Sequence, residues 1–196
     1  MKVILGLGNP GREYKDTRHN VGWWLLDHLA DVWRLDGWRR DGETLTLSGS
    51  VDGRPVRLVK PTTYMNLSGQ VLRPYLRRPE WSAASDLMVV VDEVAIPLGT
   101  YRLRARGSAG GHNGLKDVER ALGTQEYPRL RVGIKPEDPR GVGDLADFVL
   151  SPFGKDERAV VVELLPRLHD AVEIWMRDGI LKAMNAHNGE GSAPRG

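Results

Sequence analysis

The chain has 196 residues, of which 40% are hydrophobic and 28% charged, with no cysteine and a formal net charge of +2. That length suits one domain with a real core. The composition excludes wholesale disorder, a collagen-like or coiled-coil rod and a chain of membrane helices, since no apolar run nears the roughly 20 residues such a helix needs.

In chain order, Lys2 to Leu7 is a short apolar run ending at Gly6-Leu7-Gly8, which predicts a buried first strand. Val21 to Trp33 carries apolar residues at helical spacing and predicts a core-facing helix. Thr44–Ser48 and Pro55–Val59 read as two strands around a turn at 51–54. Ser68–Leu76 suits a short helix, and Leu87–Val91 is continuous enough for a central strand buried on both faces.

Thr100–Arg106 alternates, with Tyr101, Leu103 and Ala105 on one face and Arg102, Arg104 and Arg106 on the other. A helix over 114–122, strands at Leu130–Ile134 and Phe148–Leu150, and a long helix over Asp156–Met176 with a kink at Pro166 complete the pattern. Strands interleaved with crossover helices predict an α/β fold. The expected form is a single domain over residues 1–185, a mixed twisted sheet flanked by helices, followed by a small, polar tail over 186–196 that should fray.

Charge is unevenly spread. The basic residues comprise 21 Arg and 7 Lys, and from Arg54 to Lys135 there are 14 of them against 7 acidic residues. A basic middle between acidic flanks fits a polyanion-binding surface, and it fits an arginine-rich solvated face equally well. The absence of cysteine removes disulfides, thiolate metal sites and a cysteine nucleophile, and it suits a reducing cytoplasm. The N-terminal apolar stretch is shorter than an export signal requires.

Gly6-Leu7-Gly8-Asn9-Pro10-Gly11 matches G-x-G-x-x-G after a strand, the pattern that seats a dinucleotide pyrophosphate. Its context disagrees. Pro10 removes a donor from the turn, helical periodicity is delayed to about residue 20, and Asp27 and Asp31 fall within a helical run rather than at the end of a second strand.

More informative is the placement of Asn, His and acidic residues at strand ends and turns: Asn9, His19-Asn20, Asn66, Asp92-Glu93 and His112-Asn113. A crevice at the carboxyl ends of the strands would hold one imidazole near an acid, ringed by carboxamides. Neutral imidazole can take a proton from water, an acid on its other nitrogen fixes the tautomer, and carboxamides donate to a developing oxyanion. With no cysteine and no G-x-S-x-G elbow, attack by activated water is favoured over an acyl-enzyme. The five His show no H-x-x-x-H or H-x-x-E-H spacing, so no metal is expected. These same residues are also ordinary turn formers and caps. His28 reads as structural, and His169 and His187 as surface residues.

Several ordered blocks resemble bacterial-type peptidyl-tRNA hydrolases. They are Gly6–Gly11 with Tyr14, Thr17–Gly22, Lys60–Gly69, Asp92-Glu93 with Pro97 and Gly99, Gly110–Asp117, Arg129–Ile134 and Phe148–Leu150. The resemblance implies a phosphorylase/hydrolase-like fold, no cofactor, and hydrolysis of the ester joining a peptide to the terminal ribose of tRNA, freeing the tRNA for reuse. It implies His19 as general base, Asp92 as its partner, and Asn9 as reader of the blocked amino group. Asn66 and Asn113 would position the ester or terminal nucleotide and donate to the oxyanion, and Tyr14 and Tyr64 would contact the tRNA end. Arg104 and Arg131 would grip phosphate, with Arg102 on the same strand face as Arg104. Recognition of many tRNAs through their backbones fits the basic middle. The expected enzyme is monomeric, with no stable protein partner. Ala95 departs from the family's frequent D-x-x-D pattern, so any added role of a second acid would be absent. The rival reading is a non-catalytic RNA-binding relative, similar to chloroplast intron-splicing proteins.

Overall fold

A computed structural model describes residues 1–189. In chain order the elements are β1 (Lys2–Gly6), α1 (Val21–Val32), β2 (Arg39–Asp41), β3 (Thr44–Val51), β4 (Arg54–Pro61), α2 (Arg73–Leu76), α3 (Ala83–Asp86), β5 (Leu87–Pro97), β6 (Tyr101–Arg104), α4 (Asn113–Leu122), β7 (Arg129–Lys135), α5 (Leu145–Val149), α6 (Lys155–Asp178) and α7 (Ile180–His187). The strands form one mixed seven-stranded sheet in the order β2-β3-β4-β1-β5-β7-β6. β1 pairs in parallel with both β4 and β5, and β5 in parallel with β7. The outer pairings, β2 with β3, β3 with β4 and β6 with β7, are antiparallel.

Alternation along the buried central strands sends residues to two cores. Ile4, Leu58, Met88 and Val90 pack against α1, α6 and α7 on one face. Val3, Leu5, Val59, Val89 and Val91 pack on the other against α4 and the segment around Met65–Leu72. The sheet is thus covered on both sides, as a largely parallel centre requires. The chain leaves β1, returns on one flank as β4 and later crosses to the other as β5. This switch point opens a crevice at the carboxyl ends of the strands, where Asn9, Met65-Asn66 and Asp92 converge.

Gly6 and Gly22 bring α1 onto that crevice. A Cβ on Gly22 would stand 2.7 Å from the Val90 carbonyl oxygen and 2.8 Å from that of Leu7, and a Cβ on Gly6 2.7 Å from the Gly22 carbonyl oxygen. Of the glycines that imitate a dinucleotide fingerprint, Gly6 therefore serves close helix–strand approach, and Gly11 serves a turn at positive φ.

Several elements depart from the sequence expectation. Phe148–Leu150 is not a strand: Leu145–Val149 is helix α5, because the Asp144 carboxylate accepts from the Asp147 N–H at 3.1 Å and nucleates a turn. The helix expected over Ser68–Leu76 starts earlier as a 3₁₀ segment, Met65–Leu72, and restarts as α2 with a proline in its first turn. β5 runs on to Pro97, and β6 stops at Arg104, so Arg106 lies beyond the strand. Helix α6 passes Pro166 as one element.

Order also continues past residue 185, into the expected tail. His187 ends α7 and is buried, with Nδ1 2.7 Å from the Tyr101 hydroxyl and Nε2 3.1 Å from Asp170 Oδ2. It is not the surface residue its sequence context suggests. Asn188 Nδ2 donates to the Leu103 carbonyl at 2.8 Å, and its Oδ1 accepts from the Leu103 N–H at 2.9 Å. The rest of the expected tail, residues 190–196, lies outside the described residues.

Candidate active site

Thr17–Asn20 forms a tight 3₁₀ turn at the entrance to α1, with His19 and Asn20 buried. This turn aims His19 at Asp92 on β5. His19 Nδ1 lies 2.9 Å from each carboxylate oxygen. Asp92 is 3% exposed. Burial alone would push its carboxyl up. The neighbouring His19 and His112 rings, by their charge when protonated and by hydrogen bonds, outweigh that penalty and hold it well below the usual carboxylate range.

His112 is the second imidazole on this acid, where the sequence reading placed only one. Its Nε2 is 2.8 Å from Asp92 Oδ1, and its ring centroid is 4.8 Å from that of His19. His112 is also the N-cap of α4, with Nδ1 accepting from the Gly114 and Leu115 N–H groups at 3.1 and 3.4 Å. An acceptor Nδ1 leaves the proton on Nε2, so the hydrogen-bond network assigns His112 as a neutral Nε2–H donor. The two rings therefore differ in role. His112 has both nitrogens engaged, whereas His19 donates through Nδ1 and keeps an Nε2 lone pair facing the cavity.

His19, Asp92 and His112 are also the one His/Asp/Glu cluster of metal-ligand type among the described residues, their ligand atoms lying within 4.8 Å of one another. The donor set does not suit a cation as folded. His112 Nε2 carries its proton, and freeing it would set an Nδ1–H against two amide N–H groups.

The carboxamides are oriented too. Asn9 is buried, and its Oδ1 accepts from the Met65 N–H at 2.8 Å. Its main chain is clasped by Asn20, whose Oδ1 accepts from the Asn9 N–H at 2.9 Å and whose Nδ2 donates to the Asn9 carbonyl at 3.0 Å. With Oδ1 occupied, Asn9 has an NH₂ group to offer a ligand.

A cavity of about 300 Å³ opens beside these groups. One side is polar, with His19, Asp92, His112 and Asn113; the other is apolar, with Leu145, Ala146 and Val149 of α5. Asn66 and Tyr64 sit exposed on either side of buried Met65, on the loop that Asn9 holds, and neither lines the cavity. Tyr14 is half-buried in the turn before His19.

The basic strand lies farther along the sheet. Tyr101 and Leu103 are buried while Arg102 and Arg104 are exposed, as the alternation predicts. Arg102 pairs across the strands with Arg131, and Arg104 with Arg129. These four arginines do not do the same thing. Arg129 is wholly buried, 4.0 Å from the centre of the Tyr127 ring, and donates to the Ser108 and Gln125 carbonyls. Arg131 is half-buried, paired with Glu93 at 3.3 Å and donating to the Ser108 carbonyl at 3.2 Å. The other Glu93 oxygen accepts from the Ala95 N–H at 3.1 Å. An acid thus organises the strand at Ala95, where the pairing with β7 is irregular, even though position 95 has none.

Fold and site together set a buried histidine–aspartate pair at the switch point of an α/β sheet. The family model described as peptidyl-tRNA hydrolase matches residues 3–194. The chain is 61% identical over 187 residues to a peptidyl-tRNA hydrolase of Gemmatimonas aurantiaca, covering 95% of this chain and 98% of the relative. It is 45% identical to one of Brevibacillus brevis, over 96% of this chain and 98% of that one. The crystal structure of peptidyl-tRNA hydrolase from Acinetobacter baumannii superposes with a TM-score of 0.81 at 31% identity, covering 94% of this chain and 93% of that one. The chain belongs to the peptidyl-tRNA hydrolase family.

Sequence reasoning names His112 among the strand-end residues without a role for its ring, and it singles out no contact of Arg18. The signal for His112 was a glycine-flanked His one residue ahead of a candidate Asn, which also reads as an ordinary helix cap. No helix among the described residues is long and apolar enough to cross a membrane.

Proposed function

We propose that the protein hydrolyses the ester between a peptidyl group and the terminal ribose of tRNA, using water activated by His19, and so returns tRNA to translation in the cytoplasm. The observation that carries this reading is the His19–Asp92 pair with an Nε2 lone pair facing the cavity. Water attacks the ester carbonyl carbon as Nε2 takes its proton. Asp92 stabilises the imidazolium that forms, and His112, donating to the same carboxylate, keeps Asp92 turned toward His19.

The tetrahedral intermediate places negative charge on the former carbonyl oxygen, within the reach expected of Asn113 and Asn66. Collapse breaks the bond to the ribose oxygen, which leaves with the proton from His19. The released products are the free peptide acid and tRNA. Asn9 acts on the substrate's other end. Its NH₂ group matches the carbonyl of an acylated amino group and opposes a free ammonium, which is also a donor. Peptidyl esters are thereby taken and free aminoacyl esters refused.

Tyr14 and Tyr64 flank the approach and contact the tRNA end. Exposed Arg104 supplies a phosphate contact, and Arg131 joins it by exchanging Glu93 for phosphate. No cofactor is needed, and one copy of the chain carries every named group.

The test is release of tRNA from an N-blocked aminoacyl-tRNA, with the unblocked ester as comparison. His19→Ala should lose about 10²- to 10⁴-fold in turnover while keeping tRNA affinity. Tight tRNA binding by the wild-type protein without turnover would instead identify a non-catalytic RNA-binding relative.

A further inference from the structure

Arg18 immediately precedes the proposed base, yet it does not line the cavity, and the residue is 8% exposed. It reaches the segment that follows α5. Nη1 donates to the Phe148 carbonyl at 3.3 Å, the Ser151 carbonyl at 3.3 Å, Ser151 Oγ at 2.5 Å and the Pro152 carbonyl at 3.1 Å. Nη2 donates to Glu157 Oε2 at 2.8 Å. The guanidinium carbon Cζ lies 4.2 Å from the centre of the Phe148 ring and 5.6 Å from that of Phe153.

Main-chain contacts run in parallel. The Arg18 N–H donates to the Ser151 carbonyl at 3.2 Å, the Phe153 N–H to the Asp16 carbonyl at 3.2 Å, and Thr17 bridges Pro152. One side chain thus ties together the Phe148 carbonyl near the end of a five-residue helix and the Ser151 and Pro152 carbonyls just beyond it. Such a short helix has little stability of its own. Its position depends on what its end is tied to.

What α5 presents to the site is apolar. Leu145, Ala146 and Val149 line the same cavity as His19 and His112, and Leu145 is 50% exposed. The ester carbon must sit near His19 Nε2, so a side chain on the esterified residue has this wall within reach.

Resting on the function proposed above, we propose that Arg18 is a positioning residue that sets the spacing between helix α5 and the His19–Asp92–His112 cluster, so that the α5 wall favours an apolar side chain on the esterified residue. Arginine suits this task where lysine does not. A planar fork can serve several carbonyls and stack on two rings at once, whereas an ammonium is a single point.

The experiment compares N-acetyl-leucyl and N-acetyl-glycyl esters carried on the same tRNA, for the wild type, Arg18→Lys, Ser151→Ala and Leu145→Ala. The wild type should favour the leucyl ester by about tenfold in kcat/KM, the range an apolar pocket contact supplies. Arg18→Lys should raise KM for the leucyl ester toward that for the glycyl ester, leaving the pH profile of kcat in place. Leu145→Ala should do the same, and the double variant should lose no more selectivity than the worse single one, because both act through one wall.

Ser151→Ala removes one acceptor from a half-buried position and gives a smaller loss of selectivity. It keeps the test open if Arg18→Lys folds poorly. Equal kcat/KM for the two esters in the wild type would overturn the proposal. So would an Arg18→Lys variant that keeps the preference, or one that lowers kcat for both esters and moves the pH profile. No wild-type turnover of either ester would overturn the hydrolase reading itself, a distinct outcome.

Discussion

Replacing Asp92 by Asn changes hydrogen-bond direction while conserving shape, and the geometry gives the consequence. In the wild type, Oδ1 is shared by His19 Nδ1 at 2.9 Å and His112 Nε2 at 2.8 Å, while Oδ2 stands 2.9 Å from His19 Nδ1. His112 must donate through Nε2, because its Nδ1 accepts from α4 amides. The Asn oxygen therefore takes the Oδ1 position, and the NH₂ group falls at the Oδ2 position beside His19 Nδ1. Two donors cannot share that contact. His19 relieves the clash by moving its proton to Nε2, so that Nδ1 accepts from the amide. The nitrogen facing the cavity then has no lone pair for water.

A wrong tautomer of this kind lowers turnover by about 10⁴-fold in a Ser-His-Asp enzyme, equivalent to about 5 kcal/mol of barrier. The same order is expected here, with tRNA affinity within a few-fold of wild type. Single-turnover release of tRNA measures the loss, and ¹⁵N chemical shifts of the His19 ring report the tautomer. An Asp92→Asn variant retaining a tenth of wild-type turnover would refute the reasoning, as would an Nδ1–H tautomer at His19 accompanying the loss.

Further outcomes follow from other parts of the molecule. Asn9→Asp should raise KM for the N-blocked ester and weaken discrimination against the unblocked one, since a carboxylate offers no NH₂ group; competition between the two substrates measures it. Arg104→Ala should weaken every tRNA alike and flatten the salt dependence by a slope of about 0.7 to 0.9, with little effect on a minimal ester lacking the tRNA body. His28 and His187 are both held below the ordinary imidazole value, chiefly by burial; His169 adds to this at His28, while Asp170 opposes it at His187. The unfolded chain then binds more protons, so their stability contribution is intact above about pH 6.5 and falls as pH drops below it. Thermal melts at pH 7 and pH 5 should show the decline, and His28→Gln should reduce it.

The parts of the fold legible in the sequence were those with a strong period. The helix from Val21, the apolar run at Leu87 and the alternation at Tyr101–Arg104 all appear as read, because burial on one or both faces dictates their pattern. Phe148–Leu150 was illegible, since three apolar residues carry no period and the deciding contact is a carboxylate cap at Asp144. In the site, His19 and Asp92 are 73 residues apart and meet at 2.9 Å. Strand-end position suggested such a meeting, and the family resemblance specified it. The second imidazole escaped because a cap at the start of α4 and a donor to Asp92 are the same ring in two local contexts. Arg18 escaped because its partners at 148–157 are distant in sequence and mostly main-chain carbonyls, which no residue type advertises.

The contact between Asn188 and Leu103 has a further consequence. β6 is an outer strand of the sheet, and an outer strand offers unpaired N–H and C=O groups on which another chain can align. The side-chain amide of Asn188 has the same donor and acceptor as a peptide unit, and it occupies both groups of Leu103. It therefore imitates one residue of an eighth strand. At Leu103 a margin bearing two exposed arginines, Arg102 and Arg104, is in this way closed to strand addition by neighbouring molecules. Removing the carboxamide by Asn188→Ala should leave the hydrolytic centre untouched and show itself as concentration-dependent self-association.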